Sequence, residues 1–312
     1  MDVICLGLIT CDITAKPVTP DVMQKDLSMV DSVNMSNGGD ALNVAINFSI
    51  IGGSSGIIGK IGNDEFGRFL LKTAEKKKVD TRGVKVVDGV GTAICIVLVQ
   101  PDGERNFAYY NGAGGLLSEN DIDYGIIKEA KILAIGGACL LPGLDGWGLA
   151  NVLRRAQELG VKTAVDVSGD LDMASIEKLE YSLPYVDIFI PSYNQACYLT
   201  GGNEPGEISV KLHKLGVKLI VVKMGKDGCF ISSQEGIVHI PAYDVKVVDT
   251  TGAGDSFVSG FLTGYSRGWP LYDCGRFANA AGAICVQEIG TTVGMKPFGE
   301  ILKFIKNRDL YK

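Results

Sequence analysis

The sequence predicts an α/β fold of three layers: a mostly parallel central sheet, helices on both faces, and a small separate β-sheet. Three observations predict it. From residue 54 onward strand-like and helix-like stretches alternate, and a βαβα rhythm builds a parallel sheet covered on both sides. Two segments, about 12–36 and 84–111, break that rhythm and carry no helical period. Near the C-terminal end a glycine-rich corner joins an apolar run to a helical pattern.

Taken in order, 3–6 reads as a buried strand ending at Gly7. Residues 13–36 hold prolines and alternating apolar positions. Asn43 begins a helix whose Val44, Phe48 and Ile51 face a core. The run 56–59 is a strand and 64–77 a helix, closed by Lys76-Lys77-Lys78, which complements the helix dipole. Residues 92–100 and 105–110 flank Pro101-Asp102-Gly103, a hairpin signal. The run 93–99 is apolar on both faces, so a second surface should cover it. Strands follow at 132–135, 162–167, 186–190 and 219–222, with helices between them, as at 149–159. The run 245–248 reads as one more strand, and Phe257, Phe261, Leu262 and Tyr265 then recur at helical spacing.

A chain of 312 residues can bury a large core and fits one domain with an appendage. The net charge of −6 argues against nucleic acid as a partner, since the one obvious basic run, Lys76-Lys77-Lys78, ends a helix. No apolar run approaches the ~20 residues of a membrane span, and the N-terminus, with Asp2 and no basic segment, does not read as a signal peptide. The eight cysteines are scattered, with no Cys-x-x-Cys pair, which points to a reducing cytoplasm rather than a disulfide framework or zinc. His213 and His239 have no neighbours at metal-ligand spacing.

The chemistry concentrates in Asp249-Thr250-Thr251-Gly252-Ala253-Gly254-Asp255-Ser256-Phe257. At the start of a helix the first N–H groups lack internal partners and carry the positive end of the dipole. Gly252 and Gly254 put no side chain before them, so an anion can approach. Asp255 sits in the first turn, where a carboxylate would repel that anion. Either it compensates the dipole and the glycines only turn the chain, or it has a chemical task.

The stretch Asp-Thr-Thr-Gly-Ala-Gly-Asp-Ser-Phe, with Ser259-Gly260-Phe261 after it, closely resembles the C-terminal signature of the ribokinase (PfkB-type carbohydrate kinase) family. The N-terminal signature is present as Gly38-Gly39-Asp40-Ala41-Leu42-Asn43-Val44-Ala45, followed by Gly52 and Gly62. Two long motifs in the right order make coincidence a poor explanation, and the resemblance covers essentially the whole chain.

The resemblance implies an ATP-dependent kinase acting on a hydroxyl of a small sugar or sugar-like molecule. It makes Asp255 the general base and the N–H groups of Gly252, Ala253 and Gly254 the anion hole, with Mg2+ bridging the β and γ phosphates. Asp12, Gly38, Gly39, Asp40 and Asn43 fall in the sugar site; a carboxylate such as Asp12 suits neighbouring hydroxyls because it accepts from both. Read from the residues alone, Asp12 is a turn aspartate and Asn43 a helix cap. Segments 12–36 and 84–111 become a lid and a homodimer surface. Lys223, Gly225 and Gly228 resemble the nucleotide loop, although Asp227-Gly228 alone reads as a hairpin turn. Asn279, in a helix of small residues, falls beside the adenine. Asp249, Thr251, Gly290 and Gly294 match positions that hold a monovalent cation, potassium, in members that use one.

Two positions depart from the family. Ribokinase carries Lys where this chain has Asp40, which argues against ribose. The Asn-x-x-Glu motif tied to magnesium and phosphate is here Ser192 and Gln195, so neither place offers a carboxylate. A nucleoside kinase of the same family fits the same motifs. Of the rivals from other classes, a dinucleotide oxidoreductase needs Gly-x-Gly-x-x-Gly after the first strand, and Gly7-Leu8-Ile9-Thr10-Cys11-Asp12 does not supply it. A sugar sensor without catalysis would explain Ser192 and Gln195 but not the intact corner at Asp255.

Overall fold

A computed structural model describes residues 1–169 and 175–309. Among the described residues, thirteen strands form two sheets. The large sheet uses β1 (Val3–Gly7), β4 (Ser55–Gly62), β5 (Asp80–Val87), β8 (Ile132–Ala138), β9 (Lys162–Val167), β10 (Ile188–Phe189), β11 (Leu219–Lys223), β12 (Cys229–Ser233) and β13 (Gly236–Ile240). Their spatial order is β13-β12-β11-β10-β9-β8-β1-β4-β5. Every neighbouring pair is parallel except β11–β12 and β12–β13, where a short turn replaces a crossover helix. The central strand β1 is apolar throughout because both its faces are covered: Val3, Ile4, Cys5 and Leu6 are all fully buried.

The covering helices are α1 (Asp40–Ile51), α2 (Glu65–Lys76), α3 (Tyr124–Ile127), α4 (Trp147–Glu158), α5 (Ile176–Leu179), α6 (Tyr193–Thr200), α7 (Pro205–Lys214), α8 (Ala253–Ser266), α9 (Leu271–Cys285) and α10 (Phe298–Asp309). One core lies under α4, α6 and α7, with Leu149, Leu153, Leu199 and Leu212 against Leu6, Ile135 and Ile220. A second lies under α1, α2 and α8, with Phe48, Leu70 and Phe261 against Ile57, Val221 and Ile231, and a smaller third joins Phe277 and Ile284 to Ile301.

The small sheet contains β2 (Thr10–Lys16), β3 (Ser32–Gly38), β6 (Ala93–Val99) and β7 (Arg105–Tyr110), in the order β3-β2-β6-β7. Two differences from the sequence expectation stand out. Residues 84–87, expected in this sheet, end β5 and pair with β4 in the large one, because they continue the strand that follows α2. The expected strand at 245–248 does not form. Val248 and Asp249 instead donate to the carbonyl of Val286 at the end of α9, at 2.7 and 3.2 Å, so the segment runs along a helix end rather than a strand. Of the two faces of β6, one is lined by buried Ala93 and Val97, while Ile96 on the other is 43% exposed.

Candidate active site

In the large sheet the strand order reverses beside β1: the chain passes from β1 to β4 on one side and reaches β8 on the other. Crevices outside the carboxyl ends of strands at such a point bind ligands. There α1 starts at Gly39, whose φ of +84° and whose closeness to the Leu8 carbonyl, 2.5 Å from any added Cβ, exclude a side chain. Gly38 is equally constrained: a Cβ there would lie 2.1 Å from the Asp12 carboxylate. Bare backbone at 38–39 thus lets Asp12, on β2, turn toward the head of α1.

The head of α8 meets the head of α1 through side chains. Asn43 donates from Nδ2 to Asp255 Oδ2 at 2.8 Å and accepts on Oδ1 from Asn37 Nδ2, also at 2.8 Å. Asn43 therefore is no helix cap. Both ends of its amide are engaged, and it orients Asp255. Gly252 opens α8 with φ +76° in the left-handed region, and a Cβ would meet the Thr291 carbonyl at 2.4 Å. Gly254 is different. An added Cβ would meet only the Lys223 Nζ, at 3.6 Å, so the space before it is open and faces an ammonium group.

Carboxylates crowd this place. Asp40, Asp166 and Asp255 have oxygens within 4.8 Å of one another. Asp40 accepts from the Ser168 hydroxyl, and Lys223 donates to both oxygens of Asp166 at 2.6 and 2.7 Å. Burial and then the Asp40 charge push Asp255 well above the usual carboxylate range, against the pull of the Asn43 hydrogen bond and Lys223. Burial pushes Asp166 up to about 6, despite Lys223. Burial and the Asp40 charge push Asp12 up to about 7. Carboxyl groups this close raise one another's proton affinity, and the single Lys223 ammonium offsets only part of that repulsion.

A cavity of about 600 Å³ opens on the other side of the corner. Lys223, Gly225, Gly228, Ala253, Gly254 and Asn279 all line it, which brings four expected nucleotide residues together with two of the three expected anion-hole residues, while Gly252, Thr251 and Ser192 lie outside its lining. Its size suits a small-molecule ligand. The turn holding Gly225 and Gly228 joins antiparallel β11 and β12, so it is a hairpin turn and a cavity wall at once. Asn279 Nδ2 donates to the carbonyls of Ile240 and Pro241, at 3.0 and 3.1 Å, and so fixes the segment that carries Tyr243, Val245 and Val247 into the same wall. The apolar run at 245–248 is apolar for the cavity's sake, not for a strand's.

Ser192 and Gln195 are spent on each other. The Ser192 hydroxyl accepts from Gln195 N–H, Gln195 Oε1 accepts from Ser192 N–H, and Gln195 Nε2 donates to the Val167 carbonyl at 3.1 Å. The pair caps α6 and clamps the end of β9 beside Asp166. Asp249 is likewise engaged: it accepts from Thr251 N–H and hydroxyl, from Gly290 N–H at 3.0 Å, and from Arg105 Nη1 at 2.9 Å. Gly294 packs on the other side, where a Cβ would lie 2.9 Å from the Cys285 carbonyl.

Sequence reasoning missed Asp166, Asn37 and Arg105. Asp166 stands near the carboxyl end of β9, and the rule that places ligands at strand ends could have flagged it. Arg105 follows a hairpin turn and carries no local signal.

Comparisons with known proteins give the family and the fold. A family described as pfkB family carbohydrate kinase matches residues 1–297. Probable fructokinase-5 of Arabidopsis thaliana is 32% identical over 304 residues, 93% of this chain and 94% of that protein. The structure of an E. coli protein provisionally assigned as ribokinase II, in complex with ATP and Mg2+, superposes with a TM-score of 0.84 at 25% identity, over 98% of this chain and 99% of that one. Arabidopsis thaliana ribokinase complexed with ribose and ATP gives a TM-score of 0.83 at 25% identity over 98% of both chains.

Proposed function

The chain belongs to the pfkB family of carbohydrate kinases, a phosphotransferase acting on a sugar hydroxyl, and from that premise we propose how its own residues carry the reaction. ATP takes the 600 Å³ cavity with its phosphates toward Gly252–Gly254. The sugar lies on the opposite side of the corner, between Asp12, the bare backbone of Gly38 and Gly39, Asp40 and Asn43. Asp255 accepts the proton of the attacking hydroxyl. The N–H groups of Gly252, Ala253 and Gly254 stabilise charge on the transferred phosphoryl group, a fixed array that needs no reorganisation during the reaction. Holding both reactants at one helix head supplies the proximity.

The observation that carries this reading is the position of Asp255. It is fixed to Asn43 on the sugar side, and it is one residue from Gly254, which lines the nucleotide cavity. Magnesium fits the donor set, because the carboxylate oxygens of Asp40, Asp166 and Asp255 suit a hard cation. Asp40 and Asp166 would hold it, and bound with ATP it neutralises phosphate charge. Asp249 and Thr251, which with Gly290 and Gly294 match the potassium positions of the family, are engaged by the Arg105 guanidinium, so in this reading its positive charge stands where the resemblance places potassium and the set does not fit a second cation while that contact holds.

The small sheet acts as a lid that excludes water from the phosphoryl group. Its exposed Val33, Met35, Ile96 and Tyr110, which share one face of the sheet, form the surface for a homodimer, which light scattering would detect. The eight free thiols fit the cytoplasm.

Release of ADP across a panel of neutral sugars, with fructose first because of the fructokinase likeness and adenosine included for the nucleoside reading, tests the whole proposal. Saturable ADP release with one acceptor supports it. Sugar binding by calorimetry without any ADP release returns the sensor reading.

A further inference from the structure

Arg105 is the first residue of β7, in the small sheet, yet its side chain ends on the large body. Its Nη1 donates to Asp249 Oδ1 at 2.9 Å and to the Thr251 hydroxyl, and its Nη2 donates to the Thr250 hydroxyl at 2.5 Å. These three acceptors stand directly before Gly252, whose left-handed turn aims the α8 N–H groups. The contact joins segments 144 residues apart. It is partly buried, with 26% of the Arg105 and 17% of the Asp249 side chain exposed. A forked, charge-assisted set of this kind gives more geometric specificity than a surface ion pair.

The other groups donating to Asp249 are neutral: Thr251 N–H and hydroxyl, and Gly290 N–H. Arg105 is its salt-bridge partner among the described residues. A guanidinium has five N–H donors, of which this set uses three, so two remain for a further acceptor. Thr250 lines the nucleotide cavity, so the guanidinium stands at the cavity's rim.

We propose that Arg105 is a positioning residue that docks the small sheet onto the anion corner, so that the cover of the acceptor site and the phosphoryl-binding N–H groups are ordered together. The kinetic part of this inference rests on the kinase reading; the ordering part does not. A lysine cannot substitute fully, because a point charge reaches Asp249 but does not fork to both threonines.

The test compares wild type, Arg105→Ala and Arg105→Lys by two measurements. Hydrogen exchange without ligands should show faster exchange in 93–110 and 249–254 together in Arg105→Ala, while thermal unfolding confirms that the fold is retained. With ATP and the best acceptor from the panel, kcat/KM should fall roughly 10- to 100-fold, as for a misplacement of about 1 Å. Arg105→Lys should recover part of that loss, and so should free guanidinium ion added to Arg105→Ala. Unchanged exchange at 249–254, faster exchange in one segment only, or kinetics within twofold of wild type would each overturn the proposal. If wild type turns over no acceptor, the kinase reading fails instead, and the exchange result still decides the coupling.

Discussion

Replacing Asp255 by Asn separates chemistry from stability in one substitution. The amide keeps the carboxylate's shape, and its oxygen can still accept from Asn43 Nδ2, now at 2.8 Å, so the head of α8 stays in place. What disappears is a base for the acceptor proton. General-base assistance is worth roughly 100- to 10,000-fold, or about 3–5 kcal/mol of barrier, and kcat should fall by that factor. The sugar's dissociation constant should change much less, because Asn still contacts a hydroxyl. Stability should move the other way. Asp255 is raised above its ordinary value of 3.8 by burial and by the Asp40 charge. An acid raised on folding contributes stability below its unfolded value and loses it as pH climbs through its folded value. Asn escapes that loss, so at pH 8 the variant should melt at or above the wild-type temperature. The same raised carboxyl should give wild-type kcat/KM an acid limb above the usual aspartate range, and the variant should lack it. A coupled ADP assay, calorimetry and thermal scans on one preparation measure all of this. A loss in kcat below about tenfold would move the base elsewhere. A large loss of sugar binding with kcat preserved would make Asp255 a ligand-positioning residue.

Four further expectations follow from the geometry. Gly254→Val meets only the Lys223 ammonium, so the protein should stay folded while kcat falls roughly 100-fold or more from a blocked anion hole; full activity would remove the corner from the mechanism. Gly252→Val, forced into φ +76° against the Thr291 carbonyl, should instead lower the melting temperature, through about 1–2 kcal/mol of backbone strain before the clash is counted. Asp12, raised to about 7 by burial and Asp40, should destabilise the fold progressively between pH 4 and 7; Asp12→Asn should flatten that decline and weaken sugar binding roughly 10- to 100-fold. Restoring the family's pair, Ser192→Asn with Gln195→Glu, should lower the magnesium concentration for half-maximal rate, at some cost in stability because the Val167 carbonyl loses its donor. An unchanged magnesium requirement would show that the missing carboxylate was not limiting.

Short-range chemistry and periodicity were legible in the residues alone. The alternation of apolar strands and helical stretches specified the parallel sheet, because each element's period of burial is written locally. Gly252 was legible as a corner because only glycine tolerates its backbone, and two signature stretches identified the family. Tertiary structure decided what depends on residues far apart. Asn43 reads locally as a cap or a sugar ligand, but it becomes the strut of Asp255 only when two helix heads meet across 212 residues. Val245 and Val247 carry a strand's composition, yet they line a cavity because Val248 and Asp249 find their partner at the end of α9 rather than on a sheet edge. Residues 84–87 join the large sheet because β4 lies beside them, which no local pattern records. The convergence of Asp40 and Asp166 on Asp255 is a property of the shared strand ends. Electrostatics acts through space, so the sequence could single out Asp255 as the candidate base but not the neighbours that set its proton affinity.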